Sequence, residues 1–227
     1  MHSGKAFKAA TRMIGLALVV LAALWVFGYF AYLIGAVVRL LPYYLLALWI
    51  AFAGFTLYFF RDPDPIAPSE PEAIVAPGHG QVDVVDETTE PDVMGGPCKR
   101  ISIFLSVIDV HVQNAPVQGK VIHLQHHPGQ FLNAMRTDCA AHNENVLIGL
   151  EPVGRPGTRV GVRLIAGLIA RRIIPWVKAG EVVPRSERIS LIQFGSRVEL
   201  YLPPGVELRV KVGDKVVGGQ TVVAAFR

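Results

Sequence analysis

Leu191–Pro203 reads LIQFGSRVELYLP, and the fold of the C-terminal half turns on this stretch. Ile192, Phe194, Val198, Leu200 and Leu202 alternate with polar residues, the pattern of a half-buried β-strand. A glycine inside such a strand packs nothing and costs backbone entropy, so it marks a bulge or a close backbone approach. Gly195 is followed by Ser196, whose hydroxyl adjoins that unprotected backbone. The pair is either a structural bulge or a reactive bond.

Outward from this stretch, short β-like runs recur between turn residues. They are Ala73–Ala76, Gly80–Val85, Ile101–Val107, Gly119–Leu124, Val146–Leu150, Val160–Leu164, Ser190–Phe194, Arg197–Leu202 and Glu207–Val212. Glycine, proline and asparagine fall between many of them, as in a mostly-β barrel or sandwich. Leu164–Trp176 reads as a short helix, although its apolar residues follow no clean period. The tail PPGVELRVKVGDKVVGGQTVVAAF carries three Val-rich strands punctuated by Gly205, Gly213-Asp214 and Gly218-Gly219. It resembles the hairpins of lipoyl- and biotinyl-carrier domains. Lys215 lies in the ordinary turn GDKVV and not at the modified hairpin tip, so the fold carries over and lipoylation does not.

The N-terminus is different in kind. Between Met13 and Phe60 the only charged residue is Arg39, leaving two uncharged runs, Met13–Val38 and Leu40–Phe60. Each is long enough to cross a bilayer, which takes ~20 residues. A signal peptide has an apolar region of only ~7–15 residues. Two runs split by Arg39 and Pro42 are therefore read as a helical hairpin. Lys5, Lys8 and Arg12 precede the first run and Arg61 follows the second, which predicts both ends in the cytoplasm. The Pro- and acid-rich RDPDPIAPSEPE (Arg61–Glu72) reads as a linker. The expected organisation is a membrane-associated hairpin over 1–61, a linker over 62–72 and a β domain over 73–227. The fold class expected is mostly β (α+β).

The formal net charge is +4. No basic run with interleaved aromatics points to nucleic acid, so anionic lipid is the simpler partner. Cys98 and Cys139 have no CxxC spacing and read as free thiols of a reducing compartment. His123, His126 and His127 lack the adjacent Cys or acidic spacing of a metal cluster, so no metal is expected.

A serine after a glycine in a strained turn has one unusual option. Its Oγ can attack the preceding carbonyl and convert the peptide to an ester. Proton loss at the serine Cα then eliminates the ester. Hydrolysis of the resulting dehydroalanine leaves a pyruvoyl group at a new N-terminus, and a base must take up the serine proton.

The order YFFRDPDP, APGHGQV, ISIFLSVIDVHVQNAPVQGKV, LIAGLIARRI and LIQFGSRVELYLP resembles the short, bacterial-type phosphatidylserine decarboxylases over nearly all of Tyr58–Arg227. The resemblance implies a pyruvoyl-dependent carboxy-lyase that makes phosphatidylethanolamine and cleaves itself between Gly195 and Ser196. The products are a β chain, 1–195, and an α chain, 196–227, which stay together as a heterodimer with further oligomerisation left open. Ser196 becomes the pyruvoyl, which forms a Schiff base with the serine headgroup and takes up electrons as CO2 leaves. His111 falls on the family's catalytic histidine, as general acid and base. Where longer members carry a second histidine, this chain has Asn114. At APGHGQV the family usually reads Pro-Ala-Asp-Gly, and His79 stands in the aspartate's place. A neutral imidazole cannot orient another as a carboxylate does. Three readings follow: His79 is the base itself, Asp83, Asp86 or Asp109 substitutes, or maturation is slow or lost.

Arg171 and Arg172 are candidates for the substrate's phosphate or carboxylate, with lipid headgroups as the other reading. His142–Asn145 reads as a polar turn. The substrate implied is phosphatidylserine in the membrane, with the protein on the cytoplasmic face of the cell (inner) membrane. Three rival readings stand beside this one. They are a decarboxylase of another serine phospholipid of archaetidylserine type, a non-catalytic carrier-like barrel that has lost processing, and a serine hydrolase using Ser196 and His111. The last lacks a G-x-S-x-G elbow.

Overall fold

The computed structural model describes residues 5–134, 140–168, 172–193 and 195–227. It divides into two compact units, Met1–Thr56 and Leu57–Arg227. The first is made by one helix, α1 (Lys5–Phe59), which ends in the second unit. Within Thr11–Phe59 an 18-residue stretch has a mean hydropathy of 2.3 and no buried residue, and the helix is long and apolar enough to cross a membrane. The expected hairpin is not found: α1 continues through Arg39 and Pro42. Proline removes one hydrogen bond from the ladder. The neighbours Leu40, Leu41, Tyr43 and Tyr44 offer no turn chemistry to replace it, so the helix carries on.

The second unit is built from strands. They are β1 (Ala73–Val75), β2 (Gly80–Glu90), β3 (Gly96–Leu105), β4 (Val112–Asn114), β5 (Gly119–His127), β6 (Asn145–Pro152) and β7 (Val160–Ala166). β8 (Ile173–Pro175), β9 (Val182–Val183), β10 (Arg188–Ile192), β11 (Ser196–Leu202), β12 (Glu207–Leu208), β13 (Lys215–Val216) and β14 (Val222–Ala225) complete them. Eight form a curled antiparallel sheet in the order β13-β2-β3-β11-β7-β6-β5-β9. Two three-stranded sheets, β1-β14-β12 and β4-β10-β8, supply the rest. The mostly-β class is as the sequence predicts. The described residues of Leu164–Trp176 form no helix: its start closes β7 and Ile173–Pro175 forms β8. Ile165, Ile173 and Ile174 are β-branched and favour strand, which explains the missing helical period.

One core joins the three sheets. Ile101, Ile103, Ile148, Val162, Val198 and Leu200 from the large sheet meet Ile74, Ile189, Ile192 and Val223 from the small ones. The Pro- and acid-rich segment lies along this unit. Arg188 pairs with Asp62 and Asp64, Arg209 pairs with Glu70, and Arg185 donates to the carbonyls of Pro68, Glu70, Pro71 and Ala73.

β11 lies centrally between β3 and β7, and all seven of its residues are buried. The alternation therefore does not mean one face in water. Val198, Leu200 and Leu202 face the core, while Arg197, Glu199 and Tyr201 are buried on the other face. There Glu199 accepts hydrogen bonds from Arg100 (3.3 Å) and from the Tyr201 hydroxyl (2.5 Å). Leu200→Ala should destabilise the fold by about 2–5 kcal/mol, because the side chain is fully enclosed and its neighbours collapse only partly. Urea unfolding of the Ser196→Ala single chain with and without the change measures this. A loss under about 0.5 kcal/mol, the size of an ordinary surface effect, would contradict the central placement of β11.

Candidate active site

The stretch that reads as one strand is two strands in two sheets. β10 pairs with β4 and β8, whereas β11 pairs with β3 and β7. Both halves bury apolar residues in the same core, so the alternation runs on across the crossing and hides it. The glycine is the local signal. Gly195 has φ +67°, in the left-handed region that suits glycine. Phe194 lies outside the described residues.

Gly167 meets this corner from β7. A Cβ on Gly167 would sit 2.5 Å from the Gly195 carbonyl oxygen and 3.1 Å from Ala134 Cβ. The carbonyl of the Gly195–Ser196 bond thus occupies space that only a glycine leaves open.

Ser196 opens β11 opposite Leu105 and Ala166, both core residues. It is fully buried, and its Oγ has no hydrogen-bond partner among the described residues. Leaving a buried hydroxyl unmatched costs about 1–3 kcal/mol. A bulge would set that hydroxyl in water. Here a nucleophile is enclosed beside a carbonyl on a left-handed glycine, an arrangement that suits attack of the hydroxyl on that carbonyl.

His111 lies just before β4 and is 1% exposed. Its Nδ1 is 2.9 Å from the Asp109 carbonyl, and its Nε2 is 2.9 Å from the Gly195 amide nitrogen. A carbonyl only accepts and an amide N–H only donates. These bonds therefore fix a neutral ring with the proton on Nδ1 and a bare Nε2. Phe59, itself fully buried, covers the ring at 4.4 Å between centroids. Burial holds the imidazole well below its ordinary range, at about 4; Arg61 and His79 act in the same direction, against the Asp109 carbonyl and carboxylate.

His79 is half-buried in the turn before β2, beside Gly218, and burial lowers its pKa too. The three acidic candidates separate cleanly. Asp83 is held by both terminal nitrogens of Arg197, at 2.7 and 2.5 Å. Asp86 is held by Arg100 at 2.9 and 2.6 Å. Among the described residues Asp109 accepts only from Ser106, through its amide (2.8 Å) and hydroxyl (2.7 Å), and its charge favours protonation of both His111 and His79. The structure thus brings Gly195, Ser196 and His111 together, with Asp109 and His79 in electrostatic reach.

Arg172 is exposed, and its carbonyl accepts from Gln193 at 3.2 Å; Arg171 and Cys139 lie outside the described residues. Cys98 is a buried free thiol on β3. His126 faces Glu144 at 3.2 Å, and its neighbour His127 points to the opposite face of β5.

Three residues here were not singled out by sequence reasoning. Gly167 sits unremarked in LIAGLIARRI. Asn143, read as part of a polar turn, is 1% exposed and ties the Leu132 and Ala166 carbonyls together through Nδ2. Arg197 looks like the solvent-facing residue of an edge strand, yet it is wholly buried. The signal for Arg197 is a charge beside Gly-Ser in an otherwise apolar strand; for Gly167 and Asn143 only the fold supplies one.

The family model described as phosphatidylserine decarboxylase matches residues 52–224. A protein of Gluconacetobacter diazotrophicus named phosphatidylserine decarboxylase proenzyme is 47% identical, over 76% of this chain and 77% of its own length. A protein of the same name from Symbiobacterium thermophilum is 42% identical over 91% of this chain and 89% of its own. Another, from Desulfotalea psychrophila, is 42% identical over 75% and 78%.

The His111 geometry predicts its titration. In a Ser196→Ala chain, NMR should find the ring titrating near 4, below the ordinary ~6.5. Between those values the unfolded chain binds a proton that the folded chain refuses. Stability from this group is therefore complete above pH ~6.5 and falls as pH drops toward 4. A midpoint at 6 or above would contradict the buried, bonded ring.

Proposed function

The chain belongs to the phosphatidylserine decarboxylase family, and on that premise we propose that Gly195–Ser196 is the bond it cleaves in itself. It is a decarboxylase that converts phosphatidylserine to phosphatidylethanolamine and CO2. The observation that carries the site assignment is the enclosed Ser196 Oγ, without a hydrogen-bond partner among the described residues, beside a left-handed glycine.

In the resting precursor, Nε2 of His111 holds the Gly195 N–H. Exchange of that bond for the Ser196 hydroxyl lets the neutral ring take the serine proton as Oγ bonds to the Gly195 carbonyl carbon. The carbon–nitrogen bond to Ser196 breaks, nitrogen takes a proton, and an ester joins the two residues. Removal of the Ser196 Cα proton then expels the Gly195 carboxylate as the end of the β chain. Water hydrolyses the remaining dehydroalanine, ammonia leaves, and residue 196 becomes a pyruvoyl group. That group supplies a carbonyl electron sink for decarboxylation. His111 returns a proton to the substrate carbon after CO2 departs.

Asp109 takes the part of the family's aspartate, because Asp83 and Asp86 are committed to arginines and its charge reaches both imidazoles. His79, which holds the aspartate's place in sequence, modulates His111 through its own charge. The apolar helix keeps the enzyme at the bilayer, where its phospholipid substrate lies, with the β unit on the cytoplasmic face of the inner membrane. Arg171 and Arg172 remain candidates for the headgroup phosphate or carboxylate. The mature enzyme is the 1–195 β chain with the 196–227 α chain.

His111→Ala should slow CO2 release from phosphatidylserine in mixed micelles by about 10²–10⁴. Wild-type turnover in that variant would remove His111 from the chemistry. Asp109→Asn should slow self-cleavage more than His79→Ala; the reverse order would hand the aspartate's role to His79. The rate of cleavage should stay level as pH falls through 6 and decline only toward about 4, where His111 protonates. A decline centred on 6.5 would point to a base other than this ring.

A further inference from the structure

Cleavage creates a problem that the proposed reaction does not itself solve. Residue 196 becomes a free chain end, and free ends fray. Yet the new reactive group has to stay fixed at the site. The solution lies one residue on. Arg197 is wholly buried, and it donates every N–H it has. Nε donates to the Ala134 carbonyl (3.2 Å) and Nη1 to Asp83 (2.7 Å) and the Ser102 hydroxyl (2.6 Å). Nη2 donates to Asp83 (2.5 Å) and again to Ala134 (3.0 Å). Five donors in a rigid fork thus reach β2, β3 and the segment before β6, and Ala134 in turn packs against Gly167 at the Gly195 carbonyl.

Successive strand residues point to opposite faces, so Arg197 grips from the side of the sheet away from Ser196. It holds the strand without taking up space at the reacting atoms. We propose that Arg197, clamped by Asp83, Ser102 and Ala134, is the positioning residue that keeps the new α-chain N-terminus in place after self-cleavage. The proposal rests on the cleavage assignment above. Before cleavage the peptide bond itself positions residue 196, so the clamp matters chiefly in the mature two-chain enzyme.

Two variants of the full-length chain test this. Arg197→Lys keeps the charge and loses the fork. Arg197→Met keeps the bulk, and it frees an Asp83 side chain that is 28% exposed and so can be solvated. Both should cleave as wild type does, giving 1–195 and 196–227. Both should then lose kcat by about 10²-fold, the scale of a small misplacement at the reacting centre, with little change in KM. Hydrogen exchange of the Arg197–Leu202 amides should rise in the cleaved variants and stay at the wild-type rate when the same variants carry Ser196→Ala. Equal loosening in both backgrounds, or failure of either variant to fold as the uncleaved chain, would make Arg197 a general structural residue and overturn the proposal. So would a folded variant that does not cleave, or a cleaved variant with wild-type kcat. Absence of cleavage in the wild-type chain is a different result, because it removes the underlying assignment.

Discussion

A single N–H···N bond between the Gly195 amide and His111 joins the sheet crossing to the candidate chemistry. It forms only when the imidazole is neutral with Nε2 bare, and it holds a glycine in a backbone conformation that other residues rarely adopt. The ring in turn is set by the Asp109 carbonyl and sealed by Phe59. Burial therefore decides the protonation state, and the protonation state fixes the backbone beside the scissile bond. A protonated His111 would lose the acceptor, and Gly195 would lose its hold.

The rest of the β unit serves to keep that corner closed. β11 needs neighbours on both sides and cover on both faces, because Ser196 must be buried while its strand carries Arg197, Glu199 and Tyr201 on the reverse. An isolated buried guanidinium would be expensive, and breaking such a pair typically costs about 3–5 kcal/mol. Full use of the donors of Arg197, and the Glu199 bonds to Arg100 and Tyr201, make the polar face tolerable. Asn143 and Gly167 complete the enclosure, one by bridging carbonyls and one by having no side chain.

Much of this was legible in the sequence, unevenly. The β class, the Gly195-Ser196 pair and His111 stand out because alternation, a misplaced glycine and an ordered set of motifs are local signals. The crossing from β10 to β11 was not legible, since both strands bury the same face in one core and the period never breaks. The helix expected over Leu164–Trp176 failed because an apolar stretch without a clear period fits either state, and tertiary pairing with β11 and β10 settled its two described ends as strand. The hairpin failed for a related reason: Pro42 weakens a helix but does not by itself make a turn. Asp83 read as a spare carboxylate until its partner, far along the chain, appeared across β3. Long-range pairing of this kind has no signature in a single sequence.

Everything here converges on one bond, and intact mass of the purified, denatured wild-type chain tests it most directly. The account predicts two species, 1–195 and 196–227, in place of one chain of 24.7 kDa. The smaller should weigh about 17 units less than the unmodified peptide, an estimate from the loss of ammonia when serine becomes pyruvoyl, and borohydride should add about 2 units to it by reducing the ketone. A single 24.7 kDa chain that persists after long incubation with phosphatidylserine, untouched by borohydride, would contradict the account at its centre.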